Sequence, residues 1–266
     1  MSCLLYVLLP VLGGYTFTSL YLLKNPHILH KKKRSAFYCT HISHRGGCGE
    51  RIESTIEAFE NAVMQGTEML EMDCHLTRDE YVVVSHDENL LRQTGQDVNI
   101  SSLDFQDLPL YKERMEVLFY EGHYSTGTDR KIALLEDVFR KFPELPVSIE
   151  IKENNKRLMQ KNASMPYSFS MLRGVLVLLL FYTGLLPFVP LGESLLQFYL
   201  PRIMNRCVLT MRRSLFKHLA ARGIQVHLFV CNEEEDIKAA IEVGATGVMT
   251  DYPTLLTTYL CKNKRR

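Results

Sequence analysis

Three groups of residues stand at spacings that suit chemistry on a phosphate ester. His44-Arg45-Gly46 ends one predicted strand, Glu71-x-Asp73 ends the next, and His86-Asp87 ends the third. Residues two apart in a strand face the same side, so Glu71 and Asp73 project together and offer two hard oxygen donors to Mg²⁺ or Ca²⁺. Glu150, two residues ahead of Lys152, can add a third carboxylate from a neighbouring strand. Two imidazoles, His44 and His86, flanking such a cation suit general acid and base work, with the metal and the Arg45 guanidinium absorbing negative charge. Singly these signals are weak, since a lone Glu-x-Asp is usually a solvated strand end and a lone His a hydrogen-bonded structural residue. Their joint occurrence at successive strand ends is the informative part, because α/β barrels place catalytic groups there. His27, His30, His123 and His218 lack that context and read as structural.

The elements that must position these groups alternate short β-branched runs with amphipathic stretches, the pattern of parallel strands joined by helices. Strands are predicted at Tyr38 to Ser43, Met69 to Cys74, Tyr81 to Ser85, Val147 to Ile151, Tyr167 to Met171, Gln225 to Val230 and Gly247 to Met249. Ile56, Phe59, Val63 and Met64 recur at helical spacing before a stop at Gly66. Leu135 to Phe142, Leu215 to Ala221 and Glu233 to Val243 read as further helices. The connection from Asp87 to Lys131 carries Gly95, Pro109, Gly122 and Gly127 and is too irregular for one helix.

Composition narrows the classes. The 266 residues carry 31 Lys and Arg against 30 Asp and Glu, so no bulk positive charge favours a nucleic-acid partner. Seven scattered cysteines without a CxxC pair fit neither a disulfide framework nor a cysteine zinc site. Residues 1–24 read as a transmembrane anchor, because Cys3 to Leu23 offers 21 uncharged positions. Residues 25–38 form a basic linker, and Lys31-Lys32-Lys33-Arg34 places the rest of the chain in the cytosol. Residues 39–266 form the remaining domain. Within it an apolar insertion over about 174–200, uncharged from Gly174 to Leu191, is expected to lie in the membrane interface. A spanning helix there would put the late strands across the membrane from the early ones.

His44-Arg45-Gly46-Gly47, Glu53-Ser54-Thr55, Glu71-Met72-Asp73, Val84-Ser85-His86-Asp87, Glu150-Ile151-Lys152 and the closing Gly244-Ala245-Thr246-Gly247-Val248-Met249-Thr250-Asp251-Tyr252-Pro253 resemble the glycerophosphodiester phosphodiesterase family. The resemblance runs from about His41 to Tyr259. The anchor, the basic linker and Gly184 to Phe188 are similar to the mammalian membrane-bound members, which act as lysophospholipase D enzymes. The resemblance implies a (β/α)₈ TIM-type barrel, a divalent cation (Mg²⁺ or Ca²⁺) on Glu71, Asp73 and Glu150, an acid–base pair in His44 and His86, and substrate contacts from Arg45 and Lys152. It also implies lysophospholipid or glycerophosphodiester substrates and a membrane-lipid partner, while the short anchor followed by basic residues favours an endoplasmic reticulum or perinuclear membrane. Glu53 matches a further motif carboxylate, and Phe229-Val230-Cys231-Asn232 carries Phe where many members have Trp.

One departure sets an alternative beside that reading. Fifteen residues separate Ile151 from Tyr167, room for one crossover helix such as Glu153 to Lys161 but not for two crossovers and a strand. The barrel is therefore expected to lack one β/α unit. The alternative is a catalytically impaired, membrane-tethered lipid-binding form in which the carboxylates fail to converge.

Overall fold

A computed structural model describes residues 2–35, 37–152, 165–199 and 210–264. The chain divides into two compact units. One comprises Met1–Tyr38, Ser164–Leu228 and Ala240–Thr246, and the other Cys39–Ala163, Phe229–Ala239 and Gly247–Arg266. The helix expected at Glu153 to Lys161 lies outside the described residues.

The second unit is built on parallel strands. β1 (His41–Ser43) pairs with β2 (Met69–Leu76) through Ile42↔Met69 and Ser43↔Leu70, and on its other side with β10 (Gly247–Thr250). β2 also pairs in parallel with β7 (Val147–Ile151), over five positions that include Asp73↔Glu150. Every residue of β2 except Leu76 is buried, as a strand covered on both faces requires. The crossover from β1 to β2 is α2 (Ile56–Met64), opened by the Thr55 hydroxyl, which accepts from the Ala58 amide. Phe59 and Ala62 on its inner face join Leu70, Met72, Cys74, Val84, Ala133 and Val138 in one core.

The segment Tyr81 to Ser85 departs from its expected role as a third parallel stave. β3 (Val82–Val84) runs antiparallel to β2 through Cys74↔Val84 and antiparallel to β6 (Ala133–Leu134). The reason is length: the turn closes with the Thr77 amide donating to the Tyr81 carbonyl, too short a connection for a parallel return. The long connection beyond it holds α3 (Leu91–Thr94) and a hairpin of β4 (Arg114–Glu116) with β5 (Tyr124–Thr126). α4 (Leu135–Lys141) then leads into β7.

The first unit opens with α1 (Ser2–Lys24), the one described helix long and apolar enough to cross a membrane. At 1.5 Å per residue it is about 34 Å long, against about 30 Å of hydrocarbon. Tyr167 to Met171 is not a strand: Ser168 makes a single parallel bridge to Leu195, and Ser170 caps α5 (Met171–Tyr182) by accepting from the Arg173 amide. The strand of this region is β8 (Leu195–Tyr199), which sequence reading missed because it falls within the apolar insertion assigned to about 174–200. α5, with twelve residues, is too short to cross a bilayer. The Tyr15 hydroxyl donates to Thr183 O (2.5 Å) and the Ser19 hydroxyl to Gly184 O (2.6 Å). Gly184 suits that approach, since its φ is +76° and a Cβ there would lie 2.8 Å from Ser19 Oγ. α6 (Arg213–Ala221) and β9 (Gln225–Phe229) come next.

Two buried imidazoles of this unit bear on acid stability. Burial pushes His218 on α6 and His227 on β9 down to about 4. Both are neutral when folded, whereas the unfolded chain takes up protons below about 6.5. Stability from this source is therefore complete above about pH 6.5 and declines as the pH falls toward about 4. Detergent-solubilised protein is expected to melt at progressively lower temperature between about pH 6.5 and about pH 5, and His227→Gln to flatten that slope. An unchanged slope in the variant would show His227 to be uninvolved.

Candidate active site

β1 ends in a 3₁₀ turn, His44–Gly46, that enters the left-handed region at Arg45 (φ +48°) and continues it through Gly46 and Gly47. A Cβ on Gly46 would lie 2.7 Å from the Phe59 ring, so this turn can settle on α2 only with glycine there. The turn directs the Arg45 amide at Glu71 Oε2 (2.9 Å) and buries the guanidinium between Asp73 (Nε to Oδ2, 3.6 Å) and Glu53 (Nη1 to Oε2, 3.5 Å).

Glu71, Asp73 and Glu150 converge, with one oxygen from each lying within 4.8 Å of the others. Strand parity aligns the first two, and the Asp73↔Glu150 register supplies the third. Lys152 Nζ bonds Asp73 Oδ1 (2.8 Å) and Glu150 Oε1 (3.0 Å). Burial lowers the affinity of that ammonium for its proton, but Asp73 and Glu150 outweigh it and raise the pKa above the usual lysine range. Asp73 Oδ2 is buried without a hydrogen-bond partner, as are Nε and Nη1 of Arg45. Burial first, and Asp73 second, push Glu71 up to about 7. Three carboxylates, one holding an unsatisfied buried oxygen and another resisting ionisation, form a donor set that fits a hard divalent cation.

Both imidazoles are held by aspartates. The His44 Nδ1–H donates to Asp251 Oδ1 (2.6 Å), leaving Nε2 4.0 Å from Glu71 Oε2. The His86 Nδ1–H donates to Asp87 Oδ1 (2.5 Å). Each neutral ring thus keeps its lone pair on Nε2. Burial opposes protonation of His44, yet the Asp251 carboxylate outweighs it and raises the pKa. Asp251 is fixed in turn by Asn232 Nδ2 (2.5 Å to Oδ2) and by Cys48 Sγ (3.0 Å to Oδ1). Phe229 places its ring 6.2 Å from that of His44, a wall without an indole donor.

A chain of alternating charges joins the predicted groups. Arg45 faces Glu53, which accepts from Arg92 Nη2 (2.6 Å) and Gln93 Nε2 (2.7 Å). Arg92 Nε continues to Asp87 Oδ2 (2.6 Å), and Asp87 holds His86. Burial would raise Glu53, but Arg45 and Arg92 hold it below the usual carboxylate range. Burial likewise opposes ionisation of Asp87, which its bonds to His86 and Arg92 bring well below that range. Arg92, Gln93 and Asp251 escaped sequence reading as site members. The signal for Asp251 was its place at a strand end in the closing motif; Arg92 and Gln93, on the single turn of α3, left none.

A barrel-type parallel arrangement with three strand-end carboxylates and two aspartate-held histidines defines a class of phosphodiester-processing enzyme. The family model for the glycerophosphoryl diester phosphodiesterase family matches residues 44–182. The chain is 44% identical to lysophospholipase D GDPD3 of Homo sapiens over 98% of this chain and 97% of that one, and 45% identical to human lysophospholipase D GDPD1 over 96% of each. Among solved structures it resembles a glycerophosphoryl diester phosphodiesterase domain from Mycobacterium tuberculosis (TM-score 0.67, 14% identity, 84% of this chain and 100% of that one). A phosphodiesterase of Oleispira antarctica in complex with the product sn-glycerol-3-phosphate gives a TM-score of 0.59 at 18% identity, covering 85% of this chain and 98% of that one. The chain belongs to the glycerophosphoryl diester phosphodiesterase family and is a phosphoric diester hydrolase with a TIM-barrel-type fold. The alignment with GDPD3 spans 308 positions against the 266 residues present here, so that relative carries stretches this chain lacks.

Replacing Asp251 by Asn puts an amide opposite Nδ1 that can donate as well as accept, and so destabilises the His44 tautomer. Asp251→Asn is expected to lower kcat about 100-fold or more, while KM and the cation requirement hold. A fall in cation affinity without loss of kcat would instead place Asp251 in the metal site.

Proposed function

We propose that this chain is a membrane-tethered, metal-dependent hydrolase of lysophospholipids or glycerophosphodiesters that cleaves on the headgroup side of phosphorus. The observation that carries the reading is the convergence of Glu71, Asp73 and Glu150, with one oxygen of each within 4.8 Å of the others. The names of the relatives, lysophospholipase D at 44% and 45% identity, support the substrate class. The premise of an impaired form, carboxylates kept apart, does not hold, so that reading is not carried forward.

Glu71, Asp73 and Glu150 would hold Mg²⁺ or Ca²⁺, which supplies Lewis-acid charge to the phosphoryl oxygens. Arg45 and Lys152 hold the phosphate against them. An oxygen of water, or of a neighbouring glycerol hydroxyl, forms the new bond to phosphorus as the bond to the headgroup oxygen breaks. One of His44 and His86 takes the proton of the attacking oxygen at Nε2, and the other delivers a proton to the leaving alcohol. Water attack on a lysophospholipid yields lysophosphatidic acid and choline, ethanolamine or an N-acylethanolamine. Residues 1–24 anchor the chain, and the basic run after them supports a cytosol-facing domain on the endoplasmic reticulum or perinuclear membrane. The apolar insertion over about 174–200 lies in the membrane interface.

The test is headgroup release from lysophosphatidylcholine and from glycerophosphocholine by purified full-length protein, with and without EDTA. Glu71→Ala and Asp73→Ala are each expected to abolish metal-dependent turnover while the protein still floats with vesicles. Full turnover in both variants, or in EDTA, would overturn the metal assignment.

A further inference from the structure

β2 carries a third polar residue of the same parity as its two carboxylates. Glu71, Asp73 and His75 alternate along the strand, so their side chains share a face. His75 has no part in the cation or acid–base assignments, yet its side chain is buried, at 6% exposure, where an apolar residue would pack without a polar group to satisfy. Its Nε2 lies 3.2 Å from the main-chain carbonyl of His86. A carbonyl only accepts, so Nε2–H of His75 is the donor. The other edge of the ring is flanked by Glu88, with Oε2 3.1 Å from Nδ1. Glu88 is fixed in turn by the Ser101 amide (3.1 Å to Oε1) and the Ser101 hydroxyl.

His86 follows β3, and its place depends on what holds the chain there. The Ser85 amide donates to the Asp73 carbonyl (3.0 Å), the Ser85 hydroxyl to the Asp87 carbonyl (3.1 Å) and the Ile100 amide to the Glu88 carbonyl (2.9 Å). Among the described residues, His75 makes the one hydrogen bond to the main chain of His86. The His86 ring is held separately, by Nδ1–H to Asp87. That bond fixes the ring against its sequence neighbour and leaves open where the pair stands relative to the carboxylates. The two ties from this segment to β2, Ser85 to Asp73 and His86 to His75, supply that reference.

We infer that His75 is a positioning residue for His86: by donating Nε2–H to the His86 carbonyl it sets the distance between that histidine and the Glu71 and Asp73 carboxylates on its own strand. One strand then carries two cation ligands and the tie that registers an acid–base group against them. Such registration matters because a displacement of about 1 Å at a reacting group can cost about a hundredfold in rate. The inference rests on the proposed acid–base role of His86, through which His75 acts, and gives His75 no proton transfer of its own.

The experiment measures kcat and KM for headgroup release from lysophosphatidylcholine by purified full-length variants across a titration of Mg²⁺, with the melting temperature followed alongside. His75→Leu fills the space and removes the donor; it is expected to lower kcat at least about tenfold and to hold KM within about twofold. His75→Gln puts an amide N–H where Nε2–H stood and is expected to keep kcat within about threefold of the wild type. His75→Asn, with a shorter reach, is expected to fall with the Leu variant. In a His86→Ala background, His75→Leu should cost less than about twofold of the residual rate, because a residue that acts through His86 has nothing left to position. Should the Leu variant fail to fold, the contrast between Gln and Asn makes the same test. Wild-type kcat in the Leu and Asn variants, or a loss that repeats in full on His86→Ala, would overturn the inference and leave the acid–base reading standing. A defect that disappears at high Mg²⁺ would place His75 with Asp73 in cation binding and likewise overturn it. Full turnover in His86→Ala would overturn the acid–base reading itself, and this inference with it.

Discussion

Glu71 and Asp73 are carboxylates taken out of water on one strand, and the second unit is organised around the cost of that burial. An ion moved into a protein interior loses several kcal/mol of hydration unless opposite charge and hydrogen bonds replace it. Arg45 answers with its amide to Glu71 and its guanidinium beside Asp73, and Lys152 adds an ammonium between Asp73 and Glu150. Arg45, 2% exposed, is itself a buried charge and needs Glu53; Glu53 needs Arg92, and Arg92 is shared with Asp87. The compensation runs outward until it reaches the half-buried His86. Motifs spread over more than a hundred residues of chain are therefore one electrostatic object, and removing a member takes a partner from its neighbours in a low-dielectric setting.

Backbone geometry makes that arrangement possible. The left-handed run Arg45-Gly46-Gly47 turns the chain back across the end of β1, which lets one residue give both its main-chain and its side-chain groups to β2. Parallel pairing then does the rest: with β7 beside β2 in the Asp73↔Glu150 register, the third carboxylate arrives without any loop having to carry it. Ligands on paired strands are held more precisely than ligands on loops. Asp73 Oδ2 faces Arg45 Nε at 3.6 Å and makes no hydrogen bond.

Much of this was legible in the sequence, for reasons that can be named. Period-two geometry aligned Glu71 with Asp73, and β-branched residues marked β1 (Thr40, Ile42) and β7 (Val147, Ile149, Ile151), whereas Met69 to Cys74 holds none. The direction of β3 was misread: only a short turn joins Leu76 to Val82, which allows no parallel return, but alternation in Tyr81 to Ser85 looks the same for either direction. β8 was hidden because Leu195–Tyr199 continues an apolar stretch that already had another explanation. Ser170 looked like strand and served as a cap. The partnership of His44 with Asp251 crosses 207 positions, and no local pattern encodes a contact made only when β10 pairs with β1.

That pairing bears on what a shortened chain can lose. The aligned relative carries stretches absent here, yet every member of the charge network is present and bonded. All of them lie in the second unit, on or next to β1, β2, β7 and β10 and in the loop that carries Arg92. Because β7, β2, β1 and β10 are hydrogen-bonded to one another in succession, the geometry of ligands and histidines is set by nearest neighbours and not by closure of a distant part of the barrel. Loss of a β/α unit outside these strands would remove buried area and paired edges and so lower stability. The carboxylates nevertheless stay within reach of one cation. The same strand serves both ends: Glu71 and Asp73 of β2 alternate with Leu70, Met72 and Cys74, which pack the core with Phe59 and Ala62, so the site geometry rests on that local packing.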